Sequence, residues 1–234
     1  MTHIWFVGLV TTFFGLSIGG ITAYFINSFK KSISTIYAMC TGLILGLISF
    51  EIAPAAIQLG NWIVLSLGFL AGVLLFKLIE SLMTVELNKF PGIRSGLLLT
   101  IVISVHNLPI GVILGASQQS DLSISLLQTL IVHNIPEGMI FFTLLFSAQF
   151  NFPKLFVLSF IVAIPVAIGA LLGGMIGMQN NYLWAFLISL TVGTIYMVTI
   201  KEVLPESRRR SSNMYSLIVV TITFCLLGAY FLLI

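Results

Sequence analysis

Apolar residues along this chain fall into eight long runs separated by short polar connections. The runs are Ile4–Ile26, Ser34–Leu59, Trp62–Leu82, Gly96–Ala116, Leu122–Phe146, Leu155–Met178, Leu183–Val203 and Met214–Leu233. Each is long enough to cross a hydrocarbon layer of about 30 Å at about 1.5 Å of helical rise per residue. No strand-like alternation of a membrane β-barrel is present. Connections such as Gly60-Asn61 and Gln179-Asn180-Asn181 are too short to carry a soluble domain. The pattern predicts an all-α integral membrane protein of eight transmembrane helices, with residues 1–234 forming a single polytopic domain.

Composition removes the soluble alternatives. Hydrophobic residues make up 59% of the 234 positions and charged residues only 7%, against about 25% charged in ordinary soluble domains. Mean hydropathy is +1.14. A net charge of +3 leaves no basic footprint for nucleic acid. No nucleophile and base are placed beside an open site, so an enzyme is not expected, and no cofactor is implied. Cys40 and Cys225 stand alone within apolar runs, far from the paired spacing of a thiolate site. Met1–Ile4 lacks the basic start of a signal peptide, so the first run is expected to be retained.

The positive charges set an orientation. Lys30, Lys31, Lys77, Lys89, Arg94, Lys154, Lys201, Arg208, Arg209 and Arg210 cluster around the loops after the first, third, fifth and seventh spans. Positive residues stay cytoplasmic, so both termini are expected outside a cell membrane. Glu80, Glu86, Lys89 and Glu206 read as interfacial solvation, Asp121 as a helix cap, and His3 as incidental. Gly169, Gly173 and Gly177 recur every four residues, which suits close helix packing.

Against this apolar background one polar pattern occurs twice. The fourth span contains His106-Asn107-Leu108-Pro109-Ile110-Gly111 and the fifth His133-Asn134-Ile135-Pro136-Glu137-Gly138, both HNxPxG and 27 residues apart. Each lies near the middle of its run, so the two should meet at the bilayer midplane, where polar groups are costly and face a partner or an ion path. His133 and Glu137 share a helix face. Each proline removes a backbone donor and frees a carbonyl one turn earlier. Two imidazoles, two amide oxygens and one carboxylate suit a divalent transition ion better than magnesium or calcium. Imidazoles must be neutral to bind metal, so transport should fall below their pKa.

A second duplication pairs Gly42-x8-Glu51-x2-Pro54 in the second span with Gly193-x8-Glu202-x2-Pro205 in the seventh. Matching spans are an odd number of crossings apart and run in opposite directions, the mark of an inverted repeat with substrate bound between its halves. Glu51 falls toward the outer end of its span and Glu202 toward the cytoplasmic end, as entrance and exit carboxylates.

These motifs resemble those of the ZIP (Zrt/Irt-like) divalent-metal transporters, over essentially the whole chain. The fifth-span hexapeptide is the most specific match. The resemblance implies a 3+2+3 arrangement with the first and last three helices as inverted repeats, and zinc uptake into the cytosol by an elevator-like movement. A homodimer is implied by the resemblance alone. Two departures stand out: Ile110 occupies a position where many members carry a carboxylate, and Phe160–Ala170 contains no ionisable residue. The family's two-metal site should therefore shrink to one, built from His106, Asn107, His133, Asn134 and Glu137. Zinc comes first, with Fe2+, Mn2+ and Co2+ behind. Two other readings stay open: a secondary transporter for different cargo, and a membrane protein that binds metal without moving it.

Overall fold

Eight helices long and apolar enough to cross a membrane occupy the eight expected runs of the computed structural model, which describes residues 3–27, 33–87, 93–117, 121–176 and 180–233. Five spans are unbroken before the last: Ile4–Asn27, Trp62–Leu87, Arg94–Ala116, Asp121–Ser147 and Phe152–Ile176, and the eighth is Asn213–Leu233. No strand occurs among the described residues. Lys30, Lys31, Lys89 and Gly177, and the side chains of Glu86 and Asp121, lie outside the described residues. Two short loops cap the helices that follow them. Asn61 Oδ1 accepts the Val64 amide hydrogen at 2.9 Å, and Asn180 Oδ1 accepts those of Tyr182 and Leu183 at 3.0 and 3.2 Å, which satisfies donors a helix start leaves open.

The second and seventh spans are interrupted in the same way. The second runs Ile33–Leu47, passes through a π-turn at Ile48–Ile52 and continues as Ala53–Leu59. The seventh runs Asn181–Val198, passes through a π-turn at Thr199–Val203 and continues as Leu204–Arg210. In each, the amide after the π-turn reaches back five residues, from Ala53 to Ile48 and from Leu204 to Thr199. The prolines explain this. Pro54 and Pro205 lack an amide hydrogen, and their rings crowd the carbonyl four residues earlier, so the turn widens. Glu51 and Glu202 are each the fourth residue of a π-turn.

Glycines set which spans touch. A Cβ on Gly111 or Gly115 of the fourth span would collide with the carbonyls of Val166 or Ala170 on the sixth, and one on Gly169 or Gly173 with those of Leu108 or Val112 in return. Gly19 and Gly138 join the first and fifth spans in the same manner. The most extensive packing is therefore fourth on sixth, first on fifth, third on seventh and second on eighth. Without a hydrophobic force between helices in lipid, such backbone approach is a main source of cohesion.

The fifth span is the most enclosed and the eighth the least. Beyond its HNxPxG motif, the fifth span's Phe142 and Phe146 join Phe152 and Phe156 in one aromatic cluster, with ring centroids 4.9–5.9 Å apart. At the same end of the bundle Ser34, Ser207, Ser211 and Ser216 exchange hydrogen bonds of 2.7–3.4 Å between the second, seventh and eighth spans. Two acidic residues that read as solvated are instead paired. Glu80 meets Lys201 of the seventh span at 3.5 Å, and Glu206 meets Arg209 and Arg210 at 3.8 and 2.8 Å, because helix geometry and neighbouring spans bring cations within reach.

Candidate metal centre

The two HNxPxG motifs meet inside the bundle. His106, Asn107, His133, Asn134 and Glu137 are all buried, none more than 6% exposed. Pro109 and Pro136 each lie inside a continuous helix. One ligand atom each from His106, His133 and Glu137 lies within 4.8 Å of the others, and His106 Nε2 stands 3.5 Å from Glu137 Oε1.

Hydrogen bonding orients these side chains. His106 Nδ1 lies 3.2 Å from the Val102 carbonyl one turn earlier. That carbonyl can only accept, so Nδ1 carries the hydrogen and Nε2 keeps its lone pair toward Glu137. Asn107 Nδ2 donates to the Val162 carbonyl of the sixth span at 3.1 Å, and Asn134 Nδ2 to the Leu130 carbonyl at 2.6 Å. With these three donors committed to backbone, the acceptors of His106, Asn107 and Asn134 are left over, and His133 adds one lone pair and one N–H. His106 Nε2, both ring nitrogens of His133, Asn107 Oδ1, Asn134 Oδ1 and Glu137 Oε2 are buried without a hydrogen-bond partner. Leaving such groups unsatisfied costs about 1–3 kcal/mol each, which a single cation would offset for several at once.

A cavity of about 90 Å3 adjoins this cluster from the N-terminal half of the fifth span. His133 and Ile110 line it, as do Glu51, Ser125, Thr129 and Thr191, and its other walls are largely aliphatic. The volume holds several waters. Glu51 does not join the three-residue cluster; it is half-buried and accepts a hydrogen bond from Thr129 Oγ1 at 2.7 Å. Glu202 is half-buried in the seventh span and does not line this cavity. Its neighbour Lys201 is turned to Glu80. Ser125 and Thr129 are residues that the sequence motifs do not single out. Their signal is a four-residue polar spacing, Ser125-Thr129-His133-Glu137, along one face of the fifth span.

Comparison with known proteins agrees with this geometry. The family model described as ZIP zinc transporter matches residues 89–234, more than half the chain, from just before the fourth span through both HNxPxG motifs. The first three spans lie outside that match, so it is narrower than the resemblance read along the whole sequence. A search of curated proteins returns no match. A buried His/His/Glu cluster carried by eight membrane-spanning helices, together with the family match, establishes that this multi-pass membrane protein belongs to the ZIP zinc transporter family, whose members move divalent metal ions.

Proposed function

We propose that the protein carries zinc into the cytosol across the cell membrane, through one midplane site formed by His106, Asn107, His133, Asn134 and Glu137. The observation that carries this reading is the set of buried acceptors with no donor facing them on His106, Asn107 and Asn134, whose donors face backbone carbonyls, with Glu137 beside them. Two zinc bonds of about 2.1 Å to atoms 3.5 Å apart subtend about 113°, close to tetrahedral, for His106 Nε2 and Glu137 Oε1. Imidazole and amide donors with one carboxylate place zinc ahead of iron, manganese and cobalt.

In this reading residues 1–234 form one domain with a 3+2+3 arrangement, the outer triplets being inverted repeats. The packing supports it. Exchanging the first span for the sixth, the second for the seventh, the third for the eighth and the fourth for the fifth maps the four main packed pairs onto one another. The matched π-turns support it as well. The one-sided Lys and Arg residues support outward termini. A hydrated ion then enters beside Glu51, sheds water at the cavity floor, binds the midplane cluster and leaves past Glu202. The aromatic cluster beyond the site keeps the far side closed until the helices bearing the motifs move.

Purified protein in liposomes, with a fluorescent chelator sealed inside, tests this. Zinc entry in the wild type should be lost in Glu137→Ala. Wild-type flux persisting in that variant would refute the site, and absence of wild-type flux for zinc, iron, manganese and cobalt would refute transport.

A further inference from the structure

The proposed midplane site has one carboxylate for a dication, which leaves a net positive charge in a poorly polarisable interior where unbalanced charge is expensive. A second carboxylate stands close by. Ser125, Thr129, His133 and Glu137 follow one another every four residues, about 6 Å per step along one face of the fifth span. The first three line the same cavity as Glu51. Glu51 comes from another span, delivered by the π-turn at Ile48–Ile52.

The contacts at the Thr129 step are specific. The Thr129 hydroxyl donates to Glu51 Oε1 at 2.7 Å, while Glu51 Oε2 is buried with no partner. His133, one turn further along, is buried too, and one of its ring nitrogens keeps an unpartnered lone pair. Around them stand aliphatic groups including Ile52, Ile110, Ile113 and Ile188, which offer a carboxylate nothing. A carboxylate oxygen left in such surroundings is costly unless a cation faces it.

We propose that Glu51, held in place by Thr129, forms with His133 a second cation station one helical turn from the midplane cluster, and that the two stations share His133. The assignment rests on the proposed transport function and extends it. A divalent transition ion, still partly hydrated in the cavity, is taken first by the Glu51 carboxylate and one nitrogen of His133. It then passes to Glu137 and His106 while His133 stays bound. The second carboxylate is thus supplied from the second span, at the step before.

The test is zinc uptake into liposomes as a function of external zinc for wild type, Glu51→Gln, Thr129→Val, the double variant, Thr129→Ser and Glu137→Ala. Removing a charged ligand or its hydrogen-bond donor should raise KM about 10-fold in Glu51→Gln and about 5-fold in Thr129→Val, more than either lowers the maximal rate. The double variant should be no worse than Glu51→Gln, since Thr129 acts through Glu51, and Thr129→Ser should restore a near-wild-type KM. An unchanged KM in both single variants would overturn the station. So would a lower melting temperature and maximal rate at constant KM, which would mark the pair as a structural tie between the second and fifth spans. Either result leaves the midplane site standing as long as Glu137→Ala abolishes flux; flux surviving in Glu137→Ala would instead remove the function itself. Thr129→Val preserves side-chain volume and carries the test alone if Glu51→Gln fails to insert.

Discussion

Gly111→Ala should damage both the stability of the bundle and the site, through a single methyl group. A Cβ at position 111 would sit 2.9 Å from the Val166 carbonyl carbon and Cα, and closer still to the carbonyl oxygen. Comfortable carbon contact begins at about 3.5 Å, so the fourth and sixth spans must part by at least about 0.6 Å, and by more to clear the oxygen. The sixth span has no slack to give, because Gly169 already lies against the Leu108 carbonyl, with Val112 N 2.8 Å from where its own Cβ would be. One turn before Gly111, Asn107 Nδ2 holds the Val162 carbonyl at 3.1 Å. Parting by about 0.6 Å already stretches that contact to about 3.7 Å, past the limit of a hydrogen bond. Overpacking costs about 1–3 kcal/mol, and the buried amide left without its acceptor a further 1–3 kcal/mol or so. At about 2–4 °C per kcal/mol for a chain of this size, the melting temperature should fall by about 4–24 °C. Asn107 would then no longer be held, and the KM for zinc should rise about 10-fold, as for other lost supports of a metal ligand. Fluorescence-detected gel filtration of heated detergent samples reads the first quantity, and liposome uptake the second. Leu171→Ala, on the exposed face of the sixth span, should change the melting temperature by about 1 °C or less. An unaltered melting temperature in Gly111→Ala would refute the packing argument. A lowered one with unaltered KM would refute the link from that interface to Asn107.

Two further outcomes follow from other parts of the structure. Ser207 Oγ donates to the Ser34 carbonyl at 3.0 Å and pairs with Ser216 Oγ at 2.9 Å while fully buried; Ser207→Ala should therefore cost about 1–3 kcal/mol, seen as a lowered melting temperature in the same thermal assay, and an unchanged one would count against the serine cluster as a tie between spans. Ile110→Asp puts a carboxylate into the cavity wall that His133 also lines, so zinc should bind about 10-fold tighter by opposite-charge attraction, measured by competition with a fluorescent chelator; unchanged affinity would mean that the cavity and the ion site do not communicate.

The eight spans were legible because the membrane imposes both length and composition, and little else fits runs such as Trp62–Leu82. The HNxPxG pair was legible because polar residues at mid-span are costly enough to stand out singly, and twice is a pattern. Other features needed three dimensions. Glu-x-x-Pro in two spans marks a disturbed helix, but the spacing alone does not say that the turn widens to five residues at Ile48 and Thr199. Thr129 and Ser125 are small hydroxyl residues of the kind that often bond their own helix, as Thr143 and Ser147 do here. What sets Thr129 apart is a carboxylate 78 residues away in sequence. Glu80 reads as solvated for the same reason: its partner Lys201 is four spans further on.

The division of hydrogen-bonding labour at the site explains why asparagine follows histidine in both motifs. An asparagine side chain has donors and acceptors at one end, so a buried one must settle which of them faces inward. Here carbonyls make the choice. Val162 and Leu130 present only acceptors to Asn107 and Asn134, and Val102 does the same to His106. An amide oxygen turned toward any of these carbonyls would be repelled, so the NH2 groups go outward to backbone and the oxygens stay inside. The interior therefore gathers lone pairs from three residues that carry no charge, with Glu137 as the one formal anion. Such a cluster would hold a cation with less electrostatic grip than two or three carboxylates would exert, and an ion held less tightly is released more readily. A second carboxylate is useful on the approach, where a hydrated ion must be drawn from water. In the proposed path Glu51, on the wall of the adjoining cavity, fills that role.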